Sequence, residues 1–558
     1  MDLLQICLIL VAATLLAIPM GKYLALAYSL KTTRLDYYFA PIENVVYRLA
    51  GVDARVAMDW RTIARHFLWM VALFFIVGYA VLRLQAFLPL NPHGLAGIEP
   101  TLAFNTAASF ASHSELQHYS GDVSLTNFAQ MAFVLFLMFG PVGTGMSIAL
   151  PMLRGFTGQA SLGNFYRDMV RTIVRVMLPI SFVLTLVLVW QGVPQTLDAK
   201  ILVHTLEGAE QTIATGPVAV IESIKQIGSN GGGFFGVNAA HPYENPTILT
   251  NVIHLLSMML IPTSLVVMVG HMLRNPRQGW IIYGALFAIL VAMIVAVNSF
   301  EASGNPALER IGLSQAMGNM EGKELRFGIT QTALFTAITG ATTTGAVNAM
   351  HDSLTPLGGM IPLLGILLNT VFGETGAGIV NIFMFLTLTV FISGLLVGRT
   401  PELFGKRIED REIKLVIKEF IIVPLLILVP TVIALFTSAG LAGITNPGSH
   451  GFTQVLYEFA SSAANNGSGF EGLVDNTPFW NITTGIVMLV GRCVPMIVML
   501  AVASSIHQKQ LVPMTAGTIK TDSLTFGVVF FATIIVVGAL SWFAFLTLGP
   551  VSEWLLIR

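Results

Sequence analysis

The chain has 558 residues, of which 54% are hydrophobic and only 11% are charged. Soluble globular domains carry about 25% charged residues, so this composition excludes a water-covered surface and calls for a bilayer. The formal net charge of −1 leaves no basic excess to neutralise phosphates, which argues against nucleic acid as a partner.

The start, Met1-Asp2-Leu3, lacks the basic residues of a cleaved signal, so the apolar run behind it is read as a retained span. Cys7 and Cys493 lie within apolar runs and predict no disulfide framework. Apolar stretches long enough to cross a bilayer predict ten helices: 3–26, 67–88, 128–150, 173–190, 252–272, 280–297, 379–397, 420–436, 482–502 and 526–548. Their connections differ sharply in charge. Lys31, Arg34, Arg48, Arg55, Arg61 and Arg65 follow the first span, Arg154, Arg167, Arg171 and Arg175 the third, and Lys406, Arg407, Arg411, Lys414 and Lys418 the seventh. Basic connections mark the cytoplasmic side. Both termini, and the connections after spans two, four, six and eight, are therefore expected outside.

Each of those four outer connections holds an apolar, helix-like stretch of about ten residues, too short to span: 102–110, 218–227, 328–338 and 452–462. Small and polar residues follow each one. The candidate ion-binding residues are Ala111, Ser112, His113 and Ser114 in the first, Ser229, Asn230, Gly231 and Gly232 in the second, Thr343, Thr344, Gly345 and Ala346 in the third, and Asn465, Asn466, Gly467 and Ser468 in the fourth. Taking His113, Gly231, Gly345 and Gly467 as equivalent points, the spacings are 118, 114 and 122 residues. A near-constant period signals repeated units. The expected fold is an all-α membrane protein whose ten helices include four helix–pore loop–helix repeats around a pseudo-fourfold pore. Its segments are 1–65 (first span and cytoplasmic loop), repeats at 66–165, 166–278, 279–410 and 411–515, and a last span at 516–558.

The loop composition has a chemical reading. Moving a bare ion into a low-dielectric medium costs on the order of tens of kcal/mol, and rings of backbone carbonyls can replace the lost water. Glycine permits the dihedrals that aim successive carbonyls inward. The three glycine-bearing loops contain no acid, which suits a monovalent cation better than calcium or magnesium. Asn466-Gly467-Ser468 also matches a glycosylation sequon by chance composition.

The helix after each loop carries breakers: the Gly140–Gly145 run around Pro141, Pro262, Gly491 with Pro495, and Gly373-Glu374-Thr375-Gly376-Ala377-Gly378. Irregular backbone at membrane depth survives only inside protein or beside water, so interrupted inner helices are expected beneath the loops. Arg492 is the basic residue in mid-span, where a cation costs about 2.5–3.5 kcal/mol on insertion scales. Gly373, Glu374, Gly376, Arg399 and Arg492 are the candidate gate or barrier. Arg492 is expected either to oppose free conduction or to pair structurally with Glu374. His254 and His271 are read as satisfied helix histidines, and His241 and His351 as fixing loop geometry.

The run from Gly228 to Thr247 (GSNGGGFFGVNAAHPYENPT) resembles the second filter of the KdpA family, the potassium-binding subunits of bacterial Kdp potassium pumps. The runs 319–328, 398–405 and 461–468 are also similar to that family. The resemblance implies a non-catalytic subunit in the bacterial cytoplasmic membrane that selects potassium on the outer side. It would pass the ion through an intramembrane tunnel to a KdpB-like P-type ATPase, with KdpC-like and small KdpF-like subunits bound and lipid around them. The transported ion is the implied ligand, and no organic cofactor is implied. The chain lacks the D-K-T-G-T phosphorylation motif and a Walker A loop. A stand-alone pore-loop channel or secondary transporter is the alternative. One departure stands out: the family's first filter commonly reads Thr-Asn-Thr-Asn-Trp-Gln, whereas this chain has Ser112-His113-Ser114-Glu115-Leu116-Gln117. It predicts potassium uptake that weakens as His113 gains a proton.

Overall fold

The computed structural model describes residues 2–92, 94–198, 200–398, 400–512 and 520–558. Among the described residues, ten helices are long and apolar enough to cross a membrane: Leu3–Ala27, Trp60–Phe87, Asn127–Phe156, Phe165–Trp190, Ile248–Met272, Pro276–Arg310, Ala377–Val397, Asp410–Leu435, Pro478–His507 and Leu524–Ile557. Each overlaps an expected span. An additional amphipathic helix, Arg34–Leu49, follows the first span and begins on a capping box in which the Asp36 carboxylate accepts from the Thr33 backbone N–H.

Four shorter helices, Pro100–Ala111, Val218–Gly228, Gly328–Ala341 and Ser449–Ala464, are numbered pore helices one to four. They are buried along nearly their whole length. Each lies between two spans, giving repeats built on spans two and three, four and five, six and seven, and eight and nine. In every repeat the span after the pore helix is more buried than the one before it. In the first repeat 83% of the apolar window of span three is buried against 28% of span two. The second member of each pair therefore forms an inner layer and the first an outer one. Span one packs along span five, where Gly21 faces Val267 with no room for a Cβ. Two small antiparallel hairpins, Lys200–His204 with Glu210–Ala214 and Glu402–Leu403 with Lys406–Arg407, complete the described fold.

The expectation of four interrupted inner helices needs correction. Phe136–Phe156, Ile248–Met272 and Pro478–His507 run continuously through Pro141, Pro262 and Pro495. A proline removes one donor and kinks a helix without having to end it. The glycines of these helices serve close packing instead. Gly140 lies under the Phe74 ring, Gly143 faces Met169 and Ile173, and Gly491 abuts the Ala463 backbone. The third repeat alone is broken: Pro356–Leu368 ends on Asn369 in the left-handed region (φ 42°), and the helix resumes at Ala377. Gly373 (φ 64°) and Gly376 (φ 109°) shape the intervening turn.

Candidate functional site: four converging loops

All four pore helices end alike. His113, Ser229, Thr343 and Asn465 adopt left-handed backbone, with φ of 63°, 62°, 51° and 54°. The next N–H then reaches back five residues: Ser114 to the Ser109 carbonyl at 2.9 Å, Asn230 to Lys225 at 3.0 Å, Thr344 to Thr339 at 3.0 Å and Asn466 to Ser461 at 2.9 Å. This is the long bond of a Schellman-type ending. It turns the chain at one depth in each repeat.

The shared geometry corrects the register read from composition. His113 matches Ser229, Thr343 and Asn465, so Glu115 is the counterpart of Gly231, Gly345 and Gly467, and the spacings become 116, 114 and 122 residues. Composition alone drew attention to glycines, and Glu115 (φ 51°) carries a left-handed conformation without being one. The cost of that conformation in an L-residue is roughly 1–2 kcal/mol, so the surrounding packing must hold it. Its carboxylate accepts from Asn230 Nδ2 at 3.0 Å, while Oε2 is buried without a hydrogen-bond partner.

The loops meet at one place. A Cβ on Gly231 would lie 2.6 Å from the Ser114 carbonyl oxygen, 2.7 Å from that of Asn466 and 2.6 Å from the Gly467 Cα. One on Gly345 or Gly467 would lie 2.8 Å from the Gly231 Cα and collide with the Asn466 or Ser114 carbonyl. Loops one, two, three and four are thus in mutual contact through glycine Cα atoms and carbonyls. Only residues without a Cβ allow that approach.

Side chains brace the loops away from this point. Asn465 Nδ2 donates to Ser114 Oγ at 2.8 Å, joining loops four and one. Gln117 joins loops one and two, donating to the Gly233 carbonyl at 3.1 Å and accepting from its N–H at 2.8 Å. Asn238 Nδ2 donates to the Gly231 carbonyl at 2.7 Å, and Asn238 in turn accepts from Lys225 Nζ at 2.7 Å. Lys225 is buried between Glu222 and Glu244. Hydroxyl pairs recur in two loops, Ser112 with Ser114 at 3.0 Å and Thr342 with Thr344 at 2.8 Å. Asn466 is buried, which removes the sequon as a glycan acceptor, and its Oδ1 accepts from the Ser468 N–H at 3.0 Å. Ala111 and Ala346 are buried beside these turns, and Gly232 packs on the Glu115 carbonyl.

Next to the loops sits a buried charged group. Arg492 Nη1 donates to Glu374 Oε1 at 2.6 Å, and the same oxygen lies against His113 Nδ1. His113 Nε2 has no partner. Thr375, in the same turn as Glu374, meets Ser229 hydroxyl to hydroxyl at 3.1 Å, and the Gly373 N–H donates to the Ala341 carbonyl at 3.2 Å. Gly376 faces Gly145, and Gly145 also makes room for the Arg492 guanidinium. The broken turn of repeat three is therefore joined to loop one, pore helix three and the inner helix of repeat four. Arg399 lies outside the described residues.

The histidines divide. His351 Nδ1 meets the Tyr457 hydroxyl at 2.8 Å, and His241 stacks on Phe235 with ring centroids 3.6 Å apart, both bracing loops as expected. His254, expected to be satisfied, is instead buried without a hydrogen bond, its Nε2 3.4 Å from Glu222 Oε1. Helix packing fixes its ring where neither nitrogen reaches good geometry. His118 lies beyond loop one and had no signal in the sequence. Its Nε2 is 3.0 Å from Glu458 Oε1, and although burial opposes its charge, Asp475 and Glu458 raise its pKa to about 9.

The family described as KdpA: Potassium-transporting ATPase A subunit matches residues 7–555. The chain belongs to the KdpA family. It is 51% identical over 555 residues to the potassium-transporting ATPase potassium-binding subunit of Geobacillus kaustophilus, covering 99% of both chains. It is 48% identical over 545 residues to the like-named subunit of Caldanaerobacter subterraneus subsp. tengcongensis, covering 97% of both. The crystal structure of the potassium transporter TrkH from Vibrio parahaemolyticus shares the fold, with a TM-score of 0.54 at 15% identity over 88% of this chain and 97% of that one. This KdpA-family chain is thus a multi-pass, predominantly helical membrane protein with pore loops.

Proposed function

We propose that this chain is the potassium-selecting, non-catalytic subunit of an ATP-driven potassium uptake complex. Ions enter from the outer side and are held where the four loops meet. The observation carrying this reading is the mutual approach of Gly231, Gly345 and Gly467 to the Ser114 and Asn466 carbonyls. In the shared register Asn230 and Thr344 occupy the same position as Ser114 and Asn466. Carbonyls of those four residues supply neutral oxygens to a dehydrated monovalent ion. The potassium-binding relatives support that choice of ion.

Below the loops, the Glu374–Arg492–His113 group opposes straight-through conduction. A fixed cation repels a passing one strongly where the dielectric is low, and the broken turn at Gly373 and Gly376 holds its counter-ion in place. A lateral cleft favours an exit towards a partner subunit. It is lined by Asn369, Asn381, Glu419, Phe420, Ser541 and Trp542, among others. Asn369 accepts from Thr343 Oγ1 at 3.0 Å and donates to the Ala464 carbonyl at 3.2 Å, so the cleft begins at the base of loops three and four. Glu419 is a buried carboxylate whose Oε2 has no hydrogen-bond partner, a favourable way-station for a cation. The ion then passes to a KdpB-like P-type ATPase that hydrolyses ATP, with KdpC-like and KdpF-like subunits completing the assembly. The basic connections set both termini outside the cytoplasmic membrane.

The test is Gly231→Asp. A Cβ has no space there, and a carboxylate would add a charge, so potassium affinity should fall by orders of magnitude while the assembled complex is retained. Unchanged uptake at low potassium would place selection elsewhere.

A further inference from the structure

We propose that His118, Glu458 and Asp475 form a zinc-class divalent-metal site built from residues other than those of the loop junction. Three donor atoms converge from two repeats: His118 Nε2 is 3.0 Å from Glu458 Oε1 and 3.9 Å from Asp475 Oδ2, and all three lie within 4.8 Å of one another. Ligands bound to zinc at about 2.0–2.2 Å are spaced within that range around a tetrahedral centre. His118 and Glu458 are buried, whereas the Asp475 side chain is 26% exposed. A metal can therefore arrive past Asp475, and a water can take the fourth position.

The orientation of the imidazole is a second, independent observation. Asn481 Nδ2 donates to Thr101 Oγ1 and Asn476 Oδ1, each at 3.2 Å, which turns Asn481 Oδ1 towards His118 Nδ1 at 2.8 Å. An amide oxygen only accepts, so Nδ1 keeps its proton and Nε2 is the nitrogen aimed at the two carboxylates. A bound metal takes the place of the proton that otherwise sits on Nε2 between the ring and the acids. Fixing of the distal nitrogen by a neutral acceptor is also how metal-ligating histidines are held. Two carboxylates and one imidazole suit a zinc-class ion far better than potassium, which takes many neutral oxygens. His118 follows Gln117, which holds loop two, so a bound metal would tie the outer mouth of repeat one to pore helix four.

The test is binding of Zn²⁺ alone to the untagged full-length chain in detergent, followed by calorimetry and zinc-edge X-ray absorption. One zinc per chain, with one imidazole and otherwise oxygen neighbours, is expected. Asp475→Asn and His118→Gln should each weaken binding at least tenfold, with potassium binding retained. Thermal unfolding of each variant establishes that it is folded. No zinc bound by the native chain, or equal binding in both folded variants, would mean that a proton alone bridges the cluster and the proposal is wrong. Either result leaves the four-loop reading untouched, because no residue of the loop junction is altered.

Discussion

At the level of single residues, the account turns on groups that are charged yet buried. Glu374 and Arg492 are almost completely inaccessible and bonded to each other. Removing one partner of such a pair strands the other, which typically costs about 3–5 kcal/mol. Glu374→Ala should therefore lower the thermal stability of the purified protein by several degrees and leave Arg492 without its carboxylate partner. A variant as stable as the native protein would show that the pair does not hold the broken turn. His113 offers a milder change. His113→Asn removes the ring whose Nδ1 lies against Glu374 Oε1, so potassium affinity should change severalfold at fixed pH. An unchanged affinity would remove His113 from the ion's surroundings. Which residues form the loop junction was only partly legible in the sequence. Glycines announced loops two, three and four, but Glu115 takes the corresponding place in loop one and nothing in its identity signals a left-handed backbone. Ion pairs such as Lys225 with Glu244, far apart in neither chain nor space, were equally silent because pairing depends on where a loop folds back.

At the level of helices, the spans were readable because lipid imposes length and apolarity on every crossing segment. Continuity was not. Gly140, Gly143 and Gly491 looked like breakers and are contact points, since glycine serves both purposes with the same composition. One clasp between elements makes a pH-dependent prediction. His450, near the start of pore helix four, lies between Asp352 at 3.0 Å and Glu553 of the last helix at 2.9 Å. Burial opposes its charge, but the two carboxylates outweigh it and raise its pKa to about 10. A raised folded-state pKa stabilises fully below the unfolded value near 6.5, and the contribution is lost as pH rises through about 10. His450→Gln should thus melt earlier than the native chain at pH 6, with the difference shrinking steadily towards pH 10. A difference independent of pH would mean that the clasp is not charged.

For the whole molecule, the four repeats matter only as a ring, because each loop alone is an ordinary turn. A ligand that binds the folded state stabilises it by an amount set by its concentration relative to Kd. Potassium should therefore raise the unfolding temperature of the native chain more than sodium does, and Gly231→Asp should abolish that difference. An ATPase of P-type size should co-purify with the chain; a chain that transports at full rate without one would favour the stand-alone channel or transporter. The most direct measurement is an anomalous diffraction map of crystals grown in rubidium. A peak enclosed by the carbonyls of Ser114, Asn230, Thr344 and Asn466 is expected. An empty junction with rubidium bound elsewhere would contradict the account.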